Sequence, residues 1–220
     1  MDKDNSLTVI FLTINNVPLQ WAEYQKKVLL EATGDFPIIA ISKEPMNWGL
    51  SRVTHITQEV PESLMERTCN VYKQIVIGAK LATTPYIAVA EDDSLYPKEH
   101  FTQFRPDLNT FAYNHTRWCM FSWARLSPFY YLMPTDANCL MIAPREKLIK
   151  ALDAPVITRR IMHRLQEPCV AFNTYDPVLC FYHVNGNDSL ERTRRKRPWP
   201  VQAYHIPKWG KAKHVIQQWK

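Results

Sequence analysis

Three runs of the chain are apolar on both faces when read as extended backbone: Leu7–Ile14, Phe36–Ser42 and Tyr86–Ala90. A strand with two apolar faces belongs inside a parallel sheet that is covered on each side by helices. The stretches between these runs have the matching character. Gln20–Thr33 is helical in pattern, and Gly34 supplies a stop. Val53–Ile56 reads as a short strand. Met65, Cys69, Tyr72, Val76 and Ala79 alternate spacings of four and three, one apolar helix stripe, with Glu66, Asn70, Lys73 and Lys80 on another face. That helix ends by Thr83-Thr84-Pro85. The order strand–helix–strand–helix–strand predicts an α/β fold, a doubly wound, mostly parallel sheet with helices on both faces.

Beyond residue 100 the pattern is less regular. Residues 111–131 are crowded with aromatic side chains, which suit core packing as well as the lining of a binding face. Ala137–Ile142 and Val178–Val184 read as strands, Pro144–Leu152 and Val156–Gln166 as helices. No linker interrupts the chain, so residues 1–190 are expected to form one domain and 191–220 a basic extension.

Composition removes several classes. With 46% hydrophobic and 22% charged residues the chain is not disordered. Sixteen Pro against five Gly argue against a glycine-rich phosphate loop. The five Cys are odd in number and never spaced C-x-x-C, the pattern of reduced, buried thiols in a cytoplasmic protein. The N-terminus opens acidic, and its apolar run Leu7–Thr13 is too short for a signal peptide or a membrane span. Net charge is +6, yet residues 191–220 hold nine Lys/Arg and one acid, which leaves the other 190 residues at −2. The body is therefore close to neutral, and a localised element meets something anionic.

Glu91-Asp92-Asp93 sits where the run Tyr86–Ala90 leaves the sheet, and ligands of open α/β sheets bind outside the carboxyl ends of strands. Three successive carboxylates repel one another and favour a cation. Oxygen ligation shared with water and phosphate suits Mg²⁺ or Mn²⁺. The plain alternative is an acidic turn.

The block Asn70–Pro97, a helix with a polar face, a short turn, a buried strand, an acidic motif and a following Pro, resembles the centre of glycosyltransferases of the GT-A fold. Thr8–Asn15 resembles their nucleotide-binding first strand, and the likeness covers about the first 105 residues. The resemblance implies that Asp93 is the metal-binding last acid of a D-x-D motif. Glu91 stands for the first acid, a departure from Asp, and Asp92 lies near the ribose. Thr13 and Asn15 match positions that meet the base. Lys73 either reaches base or diphosphate or is a solvated helix lysine. His183, near the end of a strand, resembles a late histidine that completes the metal site; His163 is a weaker candidate.

Arg192, Arg194, Arg195, Lys196 and Arg197, followed by Trp199, Tyr204, Trp209 and Trp219, combine phosphate-seeking cations with stacking rings. The segment suits nucleic acid, an anionic membrane surface, or a lid whose arginines, Arg194 among them, close on the donor diphosphate. Asp136 and Glu167, with Asp176 third, are the candidates for a catalytic base. The expectation is a metal-dependent transfer of a sugar from a nucleoside-diphosphate sugar, UDP-linked by preference, to an acceptor hydroxyl, with a hydroxymethylated base in DNA as one acceptor. The alternatives are a glycosyltransferase acting on a cell-surface glycan precursor with peripheral membrane contact, and a non-catalytic nucleic-acid-binding module. A nucleotidyltransferase is disfavoured because Thr13–Leu19 contains no Gly.

Overall fold

The computed structural model describes residues 6–61, 64–122, 128–152, 168–183 and 201–219, with backbone only for 64–69. The chain opens with β1 (Leu7–Leu12), α1 (Leu19–Thr33), β2 (Ile38–Ser42), β3 (Val53–Thr57), α2 (Leu64–Leu81) and β4 (Tyr86–Glu91). These elements agree with the sequence reading to within about two residues. There follow β5 (Ser94–Leu95), α3 (Lys98–Thr102), β6 (Phe111–Asn114), β7 (Arg117–Phe121), β8 (Tyr130–Leu132), β9 (Met141–Pro144) and α4 (Arg145–Leu152). The described chain closes with β10 (Cys169–Phe172), β11 (Val178–Tyr182), β12 (Gln202–Ala203), β13 (His205–Ile206), β14 (Gly210–Lys211) and α5 (Ala212–Gln218).

The main sheet has seven strands in the order β10-β6-β9-β4-β1-β2-β3. Only β9 runs against its neighbours β4 and β6, so the sheet is mostly parallel as expected. β1 and β2 are buried at every position, which is why their sequences do not alternate. Alternate β1 residues serve opposite faces: Leu7, Val9 and Phe11 pack with Leu29 and Ala32 of α1, and Ile10 and Leu12 with Ile75, Val76 and Ala79 of α2. Helices thus cover both faces.

Gly78 is where α2 comes closest to β1. A Cβ placed there would lie 2.8 Å from Ile10 Cδ1 and Cγ2. The branched Ile10 is itself wholly buried. Gly78→Ala is expected to lose about 1–3 kcal/mol to overpacking, more than the roughly 1 kcal/mol that alanine gains as a helix former. Urea denaturation reads the net change, and a stabilised variant would contradict this packing.

A second sheet, β12-β8-β7-β11-β5, was not legible in the sequence. It takes up part of the aromatic region, with Phe121 and Tyr130 buried on it and Phe111 buried on the main sheet. Ala137–Ile142 is corrected from a strand to a 3₁₀ turn, Asn138–Leu140, followed by β9. Cys119, Cys139 and Cys180 are buried as expected, whereas Cys169 is exposed. The second late helix, Val156–Gln166, lies outside the described residues.

Residues 201–219 pack onto the body. Ile206, Trp209, Ala212 and Val215 join Trp21, Leu95, Tyr130, Leu179 and Phe181 in one apolar cluster. Trp219 stacks on Phe181 at 4.8 Å between ring centroids. No helix among the described residues is long and apolar enough to cross a membrane.

Candidate active site

The order β3-β2-β1-β4 places the point where the strand sequence reverses between β1 and β4. Crevices at such switch points, outside the carboxyl ends of the strands, are where open α/β sheets bind ligands. Thr13 leaves β1 there, and Asp92 and Asp93 leave β4 beside it. The Asp92 N–H donates to Leu12 O at 3.2 Å, so the two strand ends are joined.

Thr13 and Asp92 meet directly: the Thr13 hydroxyl donates to Asp92 Oδ2. The same hydroxyl oxygen accepts the Asn15 N–H at 2.8 Å. Asn15 adopts a φ of 58°, a left-handed conformation that Asn tolerates better than most residues. Its side-chain oxygen accepts the Glu44 N–H at 2.8 Å, which fastens the loop after β2 to the end of β1. The backbone of the acidic turn is held from α1. Trp21 Nε1 donates to Asp92 O at 2.7 Å, and Gln25 Nε2 to Ser94 O at 3.2 Å.

Asp93 is tied to β11. Its carbonyl accepts the Phe181 N–H at 2.8 Å, and its Oδ1 accepts the Ser94 hydroxyl at 3.0 Å. Two residues beyond Phe181, His183 turns Nε2 towards Asp93 Oδ2 at 3.8 Å. The His183 side chain is 8% exposed and that of Asp93 25%. Nδ1 of His183 is buried and has no partner among the described residues.

The carboxyls are energetically frustrated. Burial, with Cys180 and Asp92 adding to it, pushes Glu91 up to about 7, while Arg117 opposes. Burial pushes Asp92 up to about 6 despite the hydrogen bond from Thr13. Asp93 is raised well above the usual carboxylate range by burial and by both acidic neighbours. Burial pushes His183 down to about 4, towards the neutral imidazole that ligates metals.

Among the described residues no three His, Cys, Asp or Glu side chains converge as a preformed metal cage. Asp93 and His183 are a pair that a divalent ion could use, leaving its other positions to phosphate and water. One carboxylate oxygen and one imidazole nitrogen fit Mn²⁺ better than Mg²⁺, which demands oxygen.

The other candidate residues fall in separate places. Lys73 is exposed on the outer face of α2 and makes no described contact with Glu91, Asp92 or Asp93. Asp136 lies elsewhere on the carboxyl edge, its Oδ1 2.8 Å from His115 Nε2. Asp176 meets Lys208 at 3.9 Å. Glu167, His163, Arg194 and the rest of the Arg192–Arg197 run lie outside the described residues. Trp209 and Trp219 are packed rather than presented, Trp209 donating Nε1–H to Pro177 O at 2.9 Å, whereas Tyr204 is exposed.

Trp21, His115 and Arg117 carry no functional signal in the sequence. Arg117 is buried, with Nη1 on Thr135 Oγ1 and Nη2 on Tyr182 Oη, both at 3.2 Å. A tryptophan in the first turn of a helix is indistinguishable from core by spacing, and His115 and Arg117 belong to no motif.

His100 on α3 is wholly buried against Tyr96, Phe101 and Phe172, and burial pushes it down to about 3. An unfolded histidine takes up its proton near pH 6.5, while folded His100 refuses it until about pH 3. Its contribution is therefore intact above pH 6.5 and lost as pH falls, by about 3 kcal/mol at pH 4. Urea midpoints between pH 7 and 4 should fall less steeply in His100→Gln than in the wild type; equal slopes would remove His100 from the acid response.

No protein-family model matches the sequence, and no curated protein matches it. Among solved structures the chain is similar to the nucleotidyl transferase Mth528 from Methanothermobacter thermautotroptrophicus, at 14% identity over 79% of this chain and 89% of that one, with a TM-score of 0.48. It is similar to a glycosyltransferase involved in glycosylation of the major capsid of PBCV-1, at 10% identity over 86% and 97%, TM-score 0.47. S. aureus TarS 1-349, solved with UDP-GlcNAc, aligns at 11% identity over 87% of this chain and 61% of that one, TM-score 0.48. TM-scores of 0.47 and 0.48 do not reach a shared activity.

Proposed function

We propose that the chain is a glycosyltransferase of the GT-A type that moves a sugar from a nucleoside-diphosphate sugar, UDP-linked by preference, to an acceptor hydroxyl. One observation carries this reading. At the switch point of the sheet, Asp92 is held by Thr13 from the neighbouring strand, and Asp93, the next residue, faces His183 Nε2 at 3.8 Å. Thr13, Asn15 and Asp92 form the nucleoside edge; Asp93 and His183 hold a divalent ion, Mn²⁺ in preference to Mg²⁺. A divalent ion held by Asp93 and His183 would supply positive charge to offset the negative charge developing on the diphosphate leaving group. The chain's own part is orientation. Trp21 and Gln25 fix the turn backbone, and the β5–β11 ladder fixes the spacing of Asp93 from His183.

Two protein ligands make a weak metal site on their own, so metal and nucleotide should bind cooperatively. Calorimetry is expected to show Mn²⁺ binding tightened at least about tenfold, roughly 1.4 kcal/mol of coupling, by UDP. Mn²⁺ affinity indifferent to UDP, GDP and CDP would argue for a plain acidic turn. The acceptor reading is narrower than its sequence basis. Hydroxymethylated DNA still has Arg192–Arg197 to recommend it, but Trp209 and Trp219 are not available for stacking on bases.

A further inference from the structure

We propose that His115, oriented by Asp136, is the base that takes the proton from the acceptor hydroxyl; this rests on the transfer reaction proposed above. β4 and β6 each run antiparallel to β9 and hence parallel to one another. The residue that follows β6, His115, therefore emerges on the same edge of the sheet as Asp92 and Asp93. Two strand spacings of about 4.8 Å separate β6 from β4, which puts the two strand ends about 10 Å apart. The register through β9 sets His115 level with Glu91, and a gap of this order would take a sugar ring between a diphosphate bound beyond Glu91 and a base at His115.

His115 Nε2 lies 2.8 Å from Asp136 Oδ1, and the side chains are 29% and 56% exposed, so an acceptor can reach them. A carboxylate only accepts, so the hydrogen of this bond is on Nε2. The tautomer is thereby fixed with the lone pair on Nδ1, which becomes the proton acceptor. The Asp136 carboxylate is engaged by the Nε2 hydrogen, whereas the Nδ1 lone pair of His115 is left to meet the acceptor. Asp136 is accordingly the positioning residue and His115 the base.

The turn that carries His115 is rigid. Its N–H donates to Phe172 O at 2.9 Å, and its carbonyl accepts the Arg117 N–H at 2.8 Å. The preceding Asn114, wholly buried, donates from Nδ2 to Thr174 Oγ1 at 3.0 Å and accepts the Thr116 N–H on Oδ1 at 2.9 Å. Preorganisation of this kind holds a base within reach of its substrate.

In the step, the acceptor O–H bond breaks and its proton passes to His115 Nδ1. The oxygen forms a bond to the anomeric carbon while the bond from that carbon to the phosphate oxygen breaks. The electron pair of the broken bond leaves with the nucleoside diphosphate. The imidazolium, paired with Asp136, then returns its proton to water.

The test uses the full chain with Mn²⁺ and UDP-glucose, UDP-galactose or UDP-N-acetylglucosamine, and follows UDP release to water and to azide. Azide attacks as an anion and needs no deprotonation. His115→Ala and His115→Gln are expected to bind UDP as the wild type does, and to release UDP to water about 10²- to 10⁴-fold more slowly. Azide should restore release and yield the glycosyl azide. Asp136→Asn should lower kcat with KM unchanged, by less than the His115 variants. Release to water that is unchanged in the His115 variants, or that falls together with release to azide, overturns the assignment of His115 alone. A wild type that binds no UDP, or binds it and releases none to either nucleophile, overturns the transfer reading and the base with it.

Discussion

A chain ending at Pro200 is expected to be unfolded where the full-length protein is folded. Residues 201–219 bury Ile206, Trp209, Ala212 and Val215 against Trp21, Tyr130, Leu179 and Phe181. They also supply Gly210 O to the Tyr130 hydroxyl at 3.2 Å and cover the edge of β8 with β12. Burial of three large side chains, Ile206, Trp209 and Val215, at about 1.5–3 kcal/mol each amounts to about 5–9 kcal/mol. Whole domains are stable by only about 5–15 kcal/mol. Near-ultraviolet circular dichroism and urea titration of the truncated chain check this. A cooperative transition with the midpoint of the full chain would show that residues 201–219 contribute nothing to the core. Anion binding by the C-terminal segment is for the same reason better probed by replacing Arg192–Arg197 with serine than by truncation.

Asp93→Asn should remove metal-dependent nucleotide binding and, without metal, stabilise the protein at pH 8. Folding raises Glu91 to about 7, Asp92 to about 6 and Asp93 well above its ordinary value. Groups raised in this way contribute stability below their unfolded values near 4, and lose it as pH rises through 6 to 7. Above pH 7 the metal-free carboxylates therefore oppose folding, and deleting one charge relieves all three. The variant's melting temperature should exceed that of the wild type at pH 8, with the gap closing towards pH 5. With Mn²⁺ and UDP the order should invert. A ligand at 100 times its Kd adds about 2.7 kcal/mol to a protein that binds it and nothing to one that does not. Sugar transfer should fall about 10³-fold, equivalent to about 4 kcal/mol of transition-state stabilisation. An Asp93→Asn variant that keeps the metal-dependent shift would eliminate Asp93 as a ligand.

The first half of the fold was legible because β1, β2 and β4 are buried on both faces and so carry uninterrupted apolar runs. α1 and α2 bury one stripe each, and their spacing survives in the sequence. The second sheet was not legible, because three of its five strands, β5, β8 and β12, are two or three residues long, too short for periodicity. The 3₁₀ turn at Asn138–Leu140 reads as strand in the sequence because Cys139 and Leu140 are apolar and buried and run on into Met141 and Ile142, and burial alone does not distinguish the two. At the site, Glu91–Asp93 stand out through their position after an apolar run. Which partner each carboxylate meets depends on contacts across 79 residues, Thr13 to Asp92, and across 90, Asp93 to His183. His115 was invisible because its meaning comes from Asp136, 21 residues away on a different element.

The spacing of Asp93 from His183 is set by a ladder. Ser94 and Leu95 pair with Cys180 and Leu179, and the Phe181 N–H reaches Asp93 O. His183 thus lies two residues past the rung at which Phe181 meets Asp93, and the strand pairing sets the separation of the two side chains. Descendants of such a protein can exchange the surrounding loops while the paired strands keep the same two side chains facing each other. In this architecture the facing pair and the loops around it are inherited separately.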